Sequence, residues 1–227
     1  MAKIKIIDGF QLKIIMAVLM LMDHLHYSLP GFPYWFHVVS RVVAPVFAYL
    51  VAEGLYYTSN RAAYLKRMFT IGGVMLAVDI ALLLVLGRSP GNSIIMALGL
   101  SATMVCCIDK AIAKEGSVAK WIFFAVLLFG ICIFFEGMML CPLMLIIFYY
   151  LRKKPLTMWI VFVLFSVVTL FALGMLFDAQ IYMVFSFIPI LFYNGKRGIS
   201  GKFAKYFFYV FYPVHIWIIF LIKELIF

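Results

Sequence analysis

The chain has 227 residues, of which 67% are hydrophobic and only 12% are charged. A soluble domain must cover its surface with polar groups, so this composition excludes a soluble enzyme and a nucleic-acid-binding domain; it is also far too apolar for a disordered chain. The net charge of +10 is best explained by membrane topology, because basic residues hold the cytoplasmic loops of membrane proteins inside.

Long apolar segments predict an all-α polytopic membrane bundle of about nine transmembrane helices, because one span takes about 20 residues. We place the spans at 12–29, 36–57, 64–86, 92–108, 118–135, 138–151, 156–177, 179–194 and 206–226. The sixth and eighth are short, as tilted, re-entrant or half-buried helices are, and we expect Pro142 and Pro189 to kink them. Little chain remains for loops, so residues 1–227 are predicted to form a single integral membrane domain.

The basic residues alternate with the predicted spans. Most of the 19 Lys and Arg fall on one side, in segments 3–5, 61–67, 110–120, 152–154 and 196–205. The opposite side holds only Arg88 and, near the carboxy terminus, Lys223. This alternation predicts a cytoplasmic amino terminus and a carboxy terminus on the outer side.

The four cysteines lie in or beside apolar segments and lack the paired spacing of a metal site: Cys106, Cys107, Cys132 and Cys141. We therefore interpret them as packing residues and expect no metal.

Ionisable residues inside the predicted spans are the most informative feature of the chain. A charge at membrane depth costs at least about 2.5–3.5 kcal/mol on insertion scales, so each one needs a partner or a function. The set comprises Lys13, Asp23 and His24 on the first span, Arg41 and Glu53 on the second, Asp79 on the third and His215 on the last.

Lys13 and His24 are predicted to share one face of the first helix. Their separation of eleven positions amounts to three turns plus roughly 20°, with an axial distance of about 16 Å. The two side chains would then line one channel, with Lys13 at its cytoplasmic entrance. Alternatively, Lys13 extends to the cytoplasmic interface and has no further role.

Asp23 is adjacent to His24 but points about 100° away from it on a helix. We expect it to pair instead with Arg41, which lies at a similar depth, because an ion pair offsets the cost of burial. Structural and catalytic roles for Asp23 both remain open. His26 and His37 are interpreted as solvated side chains near the outer interface.

The second span reaches Glu53 and Gly54 near its predicted cytoplasmic end, ahead of a basic cluster. One interpretation of Glu53 is that it lies at a solvated helix end. Arg61, Lys66 and Arg67 are suited to phosphate groups, although every predicted cytoplasmic loop is basic.

Several of these residues form a pattern that resembles the TraX family. The pattern is Lys13-x10-His24 preceded by Leu12 and including Asp23, then Arg41-x3-Pro45-x-Phe47-x5-Glu53-Gly54, then Asn60-Arg61-x2-Tyr64-x2-Arg67, and finally Phe211-Tyr212-Pro213-Val214-His215. TraX proteins are associated with amino-terminal acetylation of conjugative pilin. The Lys13-x10-His24 spacing is also similar to the first helix of membrane acyltransferases that modify surface sugars.

The resemblance implies an acyltransferase of the bacterial cytoplasmic membrane that uses acetyl-CoA or another acyl-CoA as donor. His24 would be the general base, with Asp23 and Arg41 holding the local geometry or Arg41 stabilising the oxyanion. Lys13, Arg61 and Arg67 would bind the phosphates of coenzyme A. Glu53 and His215 would be walls of the site, although His215 also fits a hydrogen-bonded packing histidine.

Three functions follow, and the first is preferred. An acyltransferase would take acyl-CoA and a peptide or pilin amine, a glycan or a small molecule as acceptor, in contact with membrane lipid and without nucleic acid. A transporter or flippase for a small anionic solute or lipid would use Asp23, His24 and Arg41 as a pathway, although no internal repeat is seen. A noncatalytic membrane assembly factor is the third.

Overall fold

The protein is described here by a computed structural model that covers residues 5–91, 94–137, 139–175 and 177–226. Residues 1–4, including Lys3 of the predicted cytoplasmic tail, lie outside the described residues. The described part is built from α-helices and one 3₁₀ helix, with a single isolated bridge between Ile7 and Tyr193. The predicted all-α class is therefore confirmed.

The helices group into two compact units, residues 1–47 with 159–227 and residues 48–158. The first unit contains α1 (Gly9–Ser28), α2 (Trp35–Ser40), the start of α3 (Val43–Tyr57), most of α8 (Pro155–Ala172), the 3₁₀ helix (Ala179–Ser186), α9 (Phe187–Phe192) and α10 (Lys202–Ile226). The second contains the rest of α3, with α4 (Arg61–Leu86), α5 (Ile94–Ile112), α6 (Val118–Cys132) and α7 (Leu140–Leu151). The single-domain assignment over 1–227 stays a prediction.

Five helical segments are long and apolar enough to cross a membrane: Trp35–Tyr57, Arg61–Leu86, Ile94–Ile112, Pro155–Ala172 and Tyr206–Ile226. They indicate a helical membrane protein. Helix α1 has 20 residues but is outside this set, since Gln11, Lys13, Asp23 and its histidines dilute its apolar residues. The count of nine spans and the orientation of the chain stay predictions.

Capping residues set the ends of the helices that carry the candidate site. Asp8 caps α1, because its Oδ1 accepts from the backbone N–H groups of Phe10 and Gln11, both at 2.9 Å. Gln11 completes the capping box by accepting from the backbone N–H of Asp8 at 3.0 Å. Asn60 caps α4 through the N–H of Ala63, which is why that helix begins three residues before the predicted span.

The helices refine the predicted spans. The second span contains a two-residue turn at Arg41 and Val42, between α2 and α3, while Trp35–Tyr57 remains one apolar helical segment long enough to cross a membrane. The seventh ends at Ala172 rather than 177, because Gly174 adopts a positive φ of 70° that helices do not tolerate. Pro142 lies in the first turn of α7, and Pro189 lies at the start of α9 directly after the 3₁₀ helix; the kinks expected at both stay predictions.

Packing within each unit is helix on helix. In the first unit, α1 packs against α2 and α10. In the second, α5 packs against α4, α6 and α7, with Met104, Cys107 and Ala125 at the centre of one apolar cluster. All four cysteines are free and three are buried, which confirms their interpretation as packing residues.

Candidate functional site

Two histidines meet where α1 packs against α10. Nδ1 of His24 lies 2.8 Å from Nε2 of His215, and the two rings are nearly parallel, with centroids 5.0 Å apart. His215 is 6% exposed, and its own Nδ1 lies 2.7 Å from the backbone oxygen of Phe211. His215 is therefore bonded on both nitrogens, which accounts for the stability of an imidazole inside an apolar helix.

The bond to Phe211 determines which nitrogens carry hydrogens. A carbonyl oxygen only accepts, so Nδ1 of His215 is the donor, and Nε2 of a neutral His215 is then an acceptor. Nδ1 of His24 must donate to that acceptor. In a neutral His24, Nε2 consequently carries the basic lone pair, as a general base requires.

Asp23 and Arg41 form an ion pair between Oδ2 and an NH2 hydrogen, as expected from their similar predicted depth. Their side chains are 19% and 20% exposed, so the pair is largely shielded from solvent. The side-chain geometry joins Asp23 to His37 and Arg41, on and just after α2, as expected for a helical side chain that points about 100° away from its neighbour.

The prediction that His37 is a solvated histidine is wrong. Its side chain is only 18% exposed, and its Nδ1 lies 2.8 Å from Oδ1 of Asp23. His37 and Arg41 are four positions apart, a spacing that brings both side chains to the same face of a helical turn. That spacing was the signal that could have found it. We call Asp23, His24, His37, Arg41 and His215 the histidine cluster.

Arg41 donates hydrogen bonds to other groups besides Asp23. Its Nε donates to the backbone oxygen of His37 at 3.2 Å, and its NH1 donates to Oε1 of Gln180 at 3.1 Å. A guanidinium with so many fixed acceptors is suited to holding α1, α2 and the 3₁₀ helix together. Of the two predicted roles for Arg41, this geometry favours positioning over direct contact with an oxyanion.

Lys13 lies on the same face of α1 as His24, as predicted. Its Nζ lies 5.8 Å from the ring centroid of Phe208, and Phe208 and His215 are two turns apart on α10. Lys13 and His24 therefore both face α10. The predicted axial separation of about 16 Å keeps Lys13 away from His24, consistent with a place at an entrance.

The other predicted phosphate ligands belong to the second unit. Arg61 donates to Oδ2 of Asp109 at 2.8 Å and to the hydroxyl of Tyr149 at 2.6 Å, so its charge is partly compensated. Tyr150 donates to the other oxygen of Asp109 at 2.9 Å. We call Arg61, Asp109, Tyr149 and Tyr150 the Asp109 network. The guanidinium carbon of Arg67 lies 5.8 Å from the ring centroid of Tyr64.

Glu53, predicted as a wall of the site, lines a cavity of about 220 Å³ in the second unit. We call this cavity, with all the residues that line it, the tyrosine cavity: Tyr49, Glu53, Tyr56, Tyr57, Phe148, Arg152 and Lys153. None of its tyrosines is among the predicted site residues. Their signal was the spacing of Tyr49, Glu53 and Tyr56, which places all three on one face of α3.

Within the described part of the chain, no group of three His, Cys, Asp or Glu side chains is placed to hold a metal ion. The expectation that the protein uses no metal stays a prediction.

The histidine cluster includes residues from the first and last parts of the sequence pattern. A comparison with protein-family models covers nearly the whole chain. The model described as TraX protein matches residues 8–223. The chain belongs to the TraX family. TraX proteins are linked to pilin acetylation, so membership fits an enzyme of that kind. Neither the curated proteins nor the solved structures contain a match to the chain.

Proposed function

We propose that the protein is an integral membrane acyltransferase that moves an acetyl or another short acyl group from acyl-CoA to an amine or hydroxyl. The observation that carries this proposal is the Phe211–His215–His24 chain of hydrogen bonds, which leaves the basic lone pair of a neutral His24 on Nε2. Membership of the TraX family supports it.

In the proposed reaction, His24 acts as the general base. The acceptor nitrogen or oxygen attacks the thioester carbonyl while Nε2 of His24 takes its proton. The tetrahedral intermediate then collapses, the carbon–sulfur bond breaks, and the coenzyme A sulfur takes up the proton from His24. Proton removal by a positioned histidine accelerates such reactions by about 10²–10⁴-fold.

Asp23, His37 and Arg41 would hold the turn of α1 that carries His24. The carboxylate of Asp23 is bonded from two directions, by Arg41 and by His37. Because Asp23 precedes His24 directly in α1, fixing one restricts the rotation and depth of the other. We therefore assign Asp23 and Arg41 to positioning.

The donor would enter from the cytoplasm, with Lys13, Arg61 and Arg67 as candidate phosphate ligands. The acceptor we favour is the amino group of a pilin or peptide, as the family association suggests; a glycan or small-molecule hydroxyl is the alternative. The protein would act in the bacterial cytoplasmic membrane, in contact with lipid, and without nucleic acid or a metal.

The test uses the purified full-length protein, acetyl-CoA labelled in the acetyl group, and a peptide with the amino-terminal sequence of a conjugative pilin. We expect label on the peptide amine with the wild type and almost none with His24→Ala. Normal turnover by His24→Ala would refute the assignment of the base. If the wild type shows no binding of acetyl-CoA but moves an anionic solute across proteoliposomes in an Asp23-dependent way, the transporter hypothesis replaces the acyltransferase.

A further inference from the structure

The tyrosine cavity is a polar feature that the proposed reaction does not use. Its walls come from one face of α3 and from the end of α7 with the two residues that follow. They combine four aromatic rings, two basic side chains and one carboxylate. This composition indicates a ligand with a flat ring, a negative charge and a hydrogen-bond donor.

Arg152 is the fixed cation of this cavity. Its guanidinium carbon lies 3.3 Å from the ring centroid of Tyr56, and an NH1 hydrogen bonds the backbone oxygen of Tyr149. Its Nε is buried and has no hydrogen-bond partner among the described residues. A guanidinium held in this way is already ordered before an anion arrives, which lowers the entropic cost of binding. Lys153 adds a second, exposed positive charge beside it.

The aromatic side chains favour a ring over a simple phosphate. Tyr49 and Phe148 meet edge to face with centroids 5.7 Å apart, and Tyr56 and Tyr57 meet at 4.9 Å. Aromatic walls of this kind stack on nucleobases. Glu53 adds a carboxylate that an isolated phosphate would avoid but that the amino group of an adenine would bond.

The size of the cavity limits what it can enclose. Sites that enclose a whole drug-sized ligand have volumes of about 300–1,000 Å³. At about 220 Å³, the tyrosine cavity is too small for a complete acyl-CoA and would enclose only part of its nucleotide. The rest of a long ligand would extend outside it.

We propose that the tyrosine cavity binds the phosphorylated adenosine end of the acyl donor. The tyrosine rings would stack on the adenine, Glu53 would accept from its amino group, and Arg152 and Lys153 would bind the phosphates. This inference rests on the proposed acyltransferase function, because it assigns a binding site for that reaction's donor. The main phosphate ligands would then be Arg152 and Lys153 in place of Arg61, whose charge Asp109 partly compensates.

The experiment measures binding of coenzyme A and of adenosine 3′,5′-bisphosphate to the purified protein by titration calorimetry. We expect Arg152→Gln and Tyr56→Leu to weaken both ligands at least tenfold. Lys154→Gln is the matched control, because Lys154 is an exposed cation in the same turn that does not line the cavity. Lys153→Gln serves as a milder second variant if Arg152→Gln fails to fold, and it should weaken both ligands severalfold.

A second measurement uses S-acetyl-pantetheine, a donor that lacks the nucleotide. We expect Arg152→Gln to raise the KM for acetyl-CoA and leave the KM for S-acetyl-pantetheine unchanged. If folded Arg152→Gln, Lys153→Gln and Tyr56→Leu bind coenzyme A as tightly as the wild type, the cavity is not the donor site. If the variants lose thermal stabilisation by phosphatidylglycerol vesicles instead, the cavity binds a lipid headgroup and the inference is overturned. A wild type that neither binds coenzyme A nor transfers acetyl groups would refute the proposed function itself.

Discussion

The histidine cluster and the tyrosine cavity differ in how their polar groups are arranged within an apolar chain. In the histidine cluster, each ionisable group is bonded to another side chain of the cluster, and the bonds join α1, α2 and α10. In the tyrosine cavity, polar and aromatic groups surround an open volume. The first arrangement fixes proton positions and is suited to chemistry, whereas the second leaves space and is suited to binding.

The largest effect is expected from replacing His24, the proposed general base. We expect His24→Ala to lower kcat by about 10²–10⁴-fold, because no other group would take the acceptor's proton. The KM for acetyl-CoA should stay near the wild-type value if binding and chemistry are separate. His26→Ala is the control on the same helix, since Nδ1 of His26 bonds the backbone oxygen of Phe32 and its contact with the cluster is a ring contact with His37, with centroids 5.8 Å apart. A large rise in KM with His24→Ala would contradict the assignment of proton transfer to the histidine cluster and of donor binding to the tyrosine cavity.

The second largest effect is expected from a variant that changes the hydrogen bond fixing the tautomer of His24. Replacing His215 with Phe keeps the ring shape but removes the acceptor for Nδ1 of His24, so the base loses its orientation. A misplacement of this kind costs about 10²-fold in kcat. Steady-state kinetics would measure it, and His215→Gln, which retains an acceptor oxygen, should recover part of the activity. Equal activities of the two variants would show that His215 only packs.

A smaller effect concerns the ion pair. Asp23→Asn leaves Arg41 without its charge partner. We expect a loss of about 2 kcal/mol in unfolding free energy. This loss is smaller than for a fully buried ion pair, because both side chains are partly exposed. Thermal unfolding in detergent would measure the loss. Glu115→Gln, an exposed carboxylate in a loop, should change nothing. A double variant with Arg41→Met that is as unstable as the sum of the single variants would show that the two side chains do not interact.

The smallest effect lies in the Asp109 network. Tyr150→Phe removes one hydrogen bond to Asp109 and should cost about 1 kcal/mol in stability. Because Tyr150 is neither the proposed base nor a proposed ligand of the donor, kcat should be unchanged in the acetyl-transfer assay. A lowered kcat with normal stability would place Asp109 in the reaction and weaken the contrast between the two regions.

The sequence was sufficient for the helical class, the family, the Asp23–Arg41 pair and the shared face of Lys13 and His24, because these depend on local periodicity and on the cost of buried charge. It was insufficient for His37, since a histidine near a predicted interface is as easily solvated as bonded. It also missed the 2.8 Å contact between His24 and His215, because residues 191 positions apart have no local spacing that relates them. The partners of Arg61 were missed for the same reason.

Phe211 contributes to the histidine cluster in two ways that differ in how they depend on sequence. Its ring stacks on His215 with centroids 4.7 Å apart, and a substitution would remove that contact. Its backbone oxygen, which fixes the tautomer of His215, would be supplied by any residue at that position. The protonation pattern of the cluster is thus tied to the integrity of the α10 backbone, and mutational scanning of side chains at position 211 would leave that dependence undetected.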